Sequence, residues 1–161
     1  MNYEGGYGRA PHSYHRRRIA VASWSDVRRF ALALPGTSEE TSSSGKSAWI
    51  VNKKFFTWER PLRRSDLAAL GDDAPHGPIL GIYTGDLELK DVLLASDPKV
   101  FFTTPHFDGY PAVLVQLRRI APKNLKDVIV EAWLARAPRR AVKAFLEKGR
   151  PSTKARAANR I

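Results

Sequence analysis

His106, Asp108 and Tyr110 stand at alternate positions in the run Thr104-Pro105-His106-Phe107-Asp108-Gly109-Tyr110-Pro111. An imidazole oriented by a carboxylate is what a general base requires, and the phenol adds a hydroxyl donor. With Trp49 and Trp58, the three side chains are candidates for a small-ligand pocket. The same groups can instead pin a loop through hydrogen bonds to its own backbone. No nucleophile or cofactor signature accompanies them. The chain has no Walker loop, no G-x-S-x-G elbow and no H-E-x-x-H helix. A His and an Asp two residues apart supply at most two metal ligands, and beyond His12 and His15 near the N-terminus His76 is the other histidine. No catalytic residue, metal ligand or cofactor is therefore assigned.

The other chemistry the sequence offers is charge. Its formal net charge is +11 in 161 residues. Residues 1–22 carry four arginines against Glu4, and residues 147–161 carry five basic residues against Glu147, which leaves +4 on residues 23–146. Within that central part the basic groups cluster: Lys53-Lys54, Arg60 with Arg63 and Arg64, Arg118-Arg119, and Arg136 with Arg139, Arg140 and Lys143. Arginine grips phosphate oxygens in bidentate fashion, and cations along a surface draw polyanions by releasing counterions. The plainer reading of each cluster is a solvated face. Near the C-terminus, Lys148-Gly149-Arg150-Pro151 resembles the Gly-Arg-Pro core of an AT-hook, whose slim backbone fits the minor groove and places an arginine such as Arg150 in it.

These groups need a scaffold, and the hydrophobic pattern supplies one. A chain of this length, 43% apolar, fits one domain with a proper core. Residues 1–22 and 147–161 read as disordered basic tails around an ordered unit at 23–146. Ser23 is a suitable N-cap for a helix through Val27, Phe30, Ala31 and Leu34, stopped at Pro35-Gly36. Thr37 to Gly45 reads as a polar loop. Ser47–Val51 and Lys54–Trp58 form a hairpin about Asn52-Lys53. A two-residue turn sets Ile50 opposite Phe55 and Trp49 opposite Phe56, with Trp49, Phe56 and Trp58 on one face. That face reads either as core or as a base-stacking surface beside a basic tip.

Further along, a short helix is expected over Ser65–Leu70, strands at Ile79–Tyr83, Val100–Phe102 and Ala112–Leu117, and helices over Leu87–Ala95, from Pro122 onward, and over Ala141–Leu146. This order predicts an α+β domain, an antiparallel sheet packed with helices at both chain ends. No window has the run of about 18 apolar residues that a membrane span needs, and the N-terminus shows no h-region of a signal peptide. With no cysteines, a reducing cytoplasm is the expected setting and no membrane partner is expected.

Four segments carry a resemblance to a known family: Val27 to Gly36 with Glu39-Glu40, Lys54 to Pro61, Thr104 to Leu117, and Glu131-Ala132-Trp133 with Ala137-Pro138. Together they are similar to the bacterial MmcQ/YjbR family over roughly residues 24–146. The resemblance implies a compact α+β fold of the frataxin-like (CyaY-like) kind and a DNA-binding role with no catalytic residue set. The expected function is therefore non-enzymatic nucleic-acid binding, mainly DNA with weak sequence preference, through Lys53, Lys54, Arg60, Arg63, Arg64, Arg118, Arg119, Arg139, Arg140, Lys143 and Arg150. The alternative is a small-ligand or catalytic protein with a pocket around His106, Asp108 and Tyr110.

Overall fold

The computed structural model describes residues 20–149. The Arg9 and Arg16–Arg18 region, Arg150 and the Gly-Arg-Pro segment beyond Gly149 lie outside those residues.

Helix α1 (Trp24–Leu32) begins where the sequence signal puts it. The Ser23 hydroxyl accepts from the Asp26 backbone N–H, and Asp26 returns the bond to Ser23 N–H at 2.9 Å. Strands β1 (Ser38–Thr41), β2 (Ser47–Val51), β3 (Lys54–Glu59), β4 (Ile79–Tyr83), β5 (Phe101–Phe102) and β6 (Ala112–Gln116) form one antiparallel sheet in the order β1-β2-β3-β4-β6-β5. The remaining helices are α2 (Arg64–Leu70), α3 (Leu87–Ser96), α4 (Pro122–Arg136) and α5 (Arg139–Lys148). The α+β class expected from the order of elements is the class observed.

One face of the sheet carries the main core. Trp49, Val51, Phe56, Leu80, Ile82, Val113 and Val115 pack against Val27 and Ala31 of α1 and Leu125, Ile129, Ala132 and Trp133 of α4. The Trp133 indole N–H donates to the Pro35 carbonyl at 3.1 Å and so fastens α4 to the end of α1. The second face carries a smaller cluster, Ile79, Phe107, Ala112 and Leu114, sheltered by Trp58, Leu62 and Phe102. Both faces of β4 and β6 are thus buried, which is why Ala112-Val113-Leu114-Val115 reads as a continuous apolar run.

Three expectations are corrected. Ser38–Thr41, read as loop, is an edge strand paired with β2. Its outward face is polar and exposed, so it has no apolar alternation to betray it. The domain boundaries fall slightly inside the fold: Ala22 is buried and its N–H donates to Ile120, while α5 runs to Lys148.

The third correction concerns the hairpin. The Asn52-Lys53 turn forms, with both residues at positive φ (51° and 63°), as a two-residue turn matched to strand twist demands. Ile50 faces Phe55 as expected. The next pair is Trp49 with Thr57, not Trp49 with Phe56, because β3 carries one extra residue there. This bulge turns Phe56 and Thr57 together into the main core, both fully buried, and leaves Phe55 and Trp58 together on the second face. The Thr57 hydroxyl meets its buried polar requirement by donating to the Gly81 carbonyl at 2.8 Å.

Candidate nucleic-acid interface

The register sorts the basic residues by position. Lys53-Lys54 at the hairpin tip, Tyr83 at the end of β4, the start of β6, and the α4–α5 junction all lie toward one end of the sheet, since β3 and β6 run antiparallel to β4. Lys53, Lys54, Arg139, Arg140 and Lys143 are exposed there. Among the described residues, none of these five has a carboxylate within ion-pairing distance. Arg118 and Arg119 are exposed at the other end, after β6, where the Arg118 side chain lies along Gly77. Arg63 and Arg64 are exposed at the start of α2. The sequence-derived set therefore divides into separate groups rather than one patch.

Arg60 does not belong to any of them. It is 5% exposed, and its guanidinium pairs with the buried Asp66 at 2.9 Å and sits 5.3 Å above the Phe107 ring. Burial would raise the Asp66 carboxyl, but the Arg63 N–H and the Arg60 guanidinium outweigh it and hold the group below its ordinary value. Arg60 anchors α2 to the second face and offers phosphate nothing.

The pocket expected around His106 takes another form. Trp49 is 2% exposed and faces the main core, so the sheet separates it from Trp58. His106 and Asp108 are both exposed, and no hydrogen bond joins them. The loop is instead held from beneath by Lys90 of α3, a residue absent from the sequence-derived set. Its buried ammonium donates to the Phe107 carbonyl at 2.5 Å and the Tyr110 carbonyl at 2.9 Å. Lys90 stands three residues before Leu93 and four before Leu94, on the apolar stripe of its helix, and a charge in such a stripe was the available signal.

What the structure gathers is a line of aromatic rings. Phe55 meets Trp58 edge-on at 4.9 Å between centroids; Trp58 lies 6.4 Å from Phe107, Phe107 6.4 Å from Tyr110, and Tyr110 6.3 Å from Tyr83. Arg136 closes the line, stacked 3.4 Å over Tyr83 and donating to the Tyr110 hydroxyl at 3.3 Å. The line thus starts beside Lys53-Lys54 and ends at Arg136, the last residue of α4. Tyr83 and Phe107 were legible only as strand and loop residues, because the ring-to-ring path crosses three separate chain segments.

Fold and surface together define a small α+β domain with an antiparallel sheet and a basic, aromatic end. The chain is 47% identical over 129 residues to uncharacterized protein Rv2570 of Mycobacterium tuberculosis and to uncharacterized protein Mb2600 of Mycobacterium bovis, spanning 78% of this chain and 97% of each relative. It belongs to the family of these mycobacterial proteins. No protein-family model matches the chain, and no solved structure matches it significantly. Among the described residues, no helix is long and apolar enough to cross a membrane, and no group of three or more His, Cys, Asp or Glu could hold a metal ion.

Proposed function

We propose that this protein is a non-enzymatic nucleic-acid-binding protein of the MmcQ/YjbR type, which grips phosphate with exposed cations. The observation that carries the reading is the set Lys53, Lys54, Arg139, Arg140 and Lys143: exposed, free of carboxylate partners among the described residues, and held toward one end of the sheet. A phosphate backbone neutralises such a set and releases condensed counterions, so affinity falls steeply with salt. Arg118-Arg119, Arg63 and Arg64 add positive charge elsewhere on the domain and favour approach from any side. The resemblance to the MmcQ/YjbR family points to DNA.

The test is duplex and single-stranded DNA binding of the full chain across a salt series, repeated with residues 20–149. A steep salt slope in both chains supports a site on the folded domain. Binding that vanishes with the terminal segments assigns DNA affinity to those segments alone and removes this reading of the domain.

A further inference from the structure

We infer that the exposed rings of the aromatic line on the second face, Phe55 and Tyr110, are a stacking platform for the bases of a single-stranded nucleic acid, with the rings between them as its support. This rests on the nucleic-acid reading above and adds which form of nucleic acid the domain prefers.

The bulge in β3 creates the platform's first part. Regular alternation would send Phe55 and Trp58 to opposite faces; the extra residue sends both to the second face, where Phe55 remains 43% exposed. That part of the face is open to solvent: Ile50 and Ala48 of β2 are half-buried, and Glu40 of β1 is exposed. An exposed phenyl ring beside a lysine-bearing turn sets a stacking face next to positive charge, the pairing that single-strand binding surfaces use. At the other end of the line Tyr110 is 37% exposed, with exposed His106 packed edge-on against Phe107 at 4.9 Å. The rings are held, not loose. Gly81 provides the bed on which Trp58 lies, Lys90 fixes the carbonyls of Phe107 and Tyr110, and Arg136 clamps Tyr83 and Tyr110.

Charge selects the occupant. Lys53-Lys54 stands beside Phe55 and Arg136 beside Tyr110 and Tyr83, so a ligand that offers flat rings along a chain of negative charges satisfies both features. A single strand does so, because its bases are free to turn onto aromatic side chains while its phosphates meet the cations. A duplex keeps its bases paired and stacked, and presents phosphate alone.

The experiment compares three ligands of about ten nucleotides, within the span such surfaces cover: an oligodeoxythymidylate, an abasic strand of equal length, and a duplex. Binding to the full chain is followed by fluorescence anisotropy at low salt. The thymidylate strand is expected to bind at least about fivefold more tightly than the abasic strand, as stacking of one base implies. Phe55→Leu, which keeps bulk but removes the ring, should close much of that difference, as should Tyr110→Ala. Tyr110→Phe should preserve it, and the salt slope should stay unchanged in all three variants. Equal affinity for thymidylate and abasic strands, or a difference untouched by Phe55→Leu and Tyr110→Ala, overturns the platform while leaving phosphate binding in place. Absence of binding to all three ligands overturns the platform together with the nucleic-acid reading. Urea midpoints of the variants are measured alongside, and binding is compared where each variant is fully folded, so that lost binding is not lost fold.

Discussion

Gly81 of β4 and Trp58 of β3 are cross-strand partners in which one residue's missing side chain is the other's resting place. A methyl group on Gly81 would overlap the indole ring. Gly81→Ala is therefore expected to displace Trp58 and cost about 1–3 kcal/mol, the range for overpacking a filled site. Urea denaturation measures the loss, and an unchanged midpoint would show that the indole moves aside freely.

Asp66 and Arg60 form a buried pair, and removing one partner of such a pair costs about 3–5 kcal/mol. Asp66→Asn should lose an amount of that order at neutral pH. The folded-state carboxyl lies below its ordinary value of 3.8, so its contribution is complete well above that value. As pH falls below about 4 the unfolded chain takes up the proton first, and the contribution fades through the lower, folded value. The stability difference between wild type and Asp66→Asn should thus narrow in acid. A difference that stayed constant from pH 7 to about pH 2.5 would contradict the linkage.

Lys90→Met should release the His106 loop. The carbonyls of Phe107 and Tyr110 keep the backbone N–H of Tyr110 and of Ala112 but each loses its bond from the ammonium, and a hydrogen bond to a charged group contributes about 1.5–3 kcal/mol. Backbone amide hydrogen exchange over residues 105–112 is the direct readout. Faster exchange there, with α1 and α4 unchanged, is the expected pattern; uniform behaviour across the chain would place the lysine's role elsewhere.

Lys53 sits at φ 63° without being glycine. Left-handed backbone costs a side-chain-bearing residue about 1–2 kcal/mol, whereas glycine's extra freedom costs about 0.5–1 kcal/mol. Lys53→Gly should consequently stabilise the hairpin, by a few tenths to about 1 kcal/mol. A lower melting temperature would refute this.

The same lysine is a proposed phosphate ligand, so stability and binding should part company. Lys53→Gly combined with Lys54→Gln is expected to reduce the slope of log affinity against log salt by about two, at roughly 0.9 for each phosphate no longer neutralised. Arg60→Gln should leave that slope alone, since the guanidinium is buried. If Arg60→Gln proved the more damaging to the slope in a folded protein, the assignment of the cations would be wrong.

Much of the scaffold was legible because its signals are local. Ser23 with Asp26 marks a helix start, Asn52-Lys53 marks a turn, and Ala112–Val115 marks a strand buried on both sides. The site was less legible for two physical reasons. Pairing register depends on neighbours, and the bulge at Phe56 leaves no trace in the residue types around it. Burial of a charge is likewise decided at a distance: Arg60 and Arg63 look alike in the chain, and only the position of Asp66 and Phe107 takes one inside. The edge strand Ser38–Thr41 was missed because hydrogen bonds to β2, not apolar side chains, define it.

The extra residue in β3 also uncouples two histories. A chain lacking Phe56 would run from Phe55 through Thr57 to Trp58 with plain alternation, and its outer pair of rings would point the same way as now. The interior would shrink by one phenyl group while the exterior kept its pattern. Relatives one residue shorter at this point can therefore keep the same outer pair of rings, and an alignment gap there would record a change of interior filling rather than a change of that face.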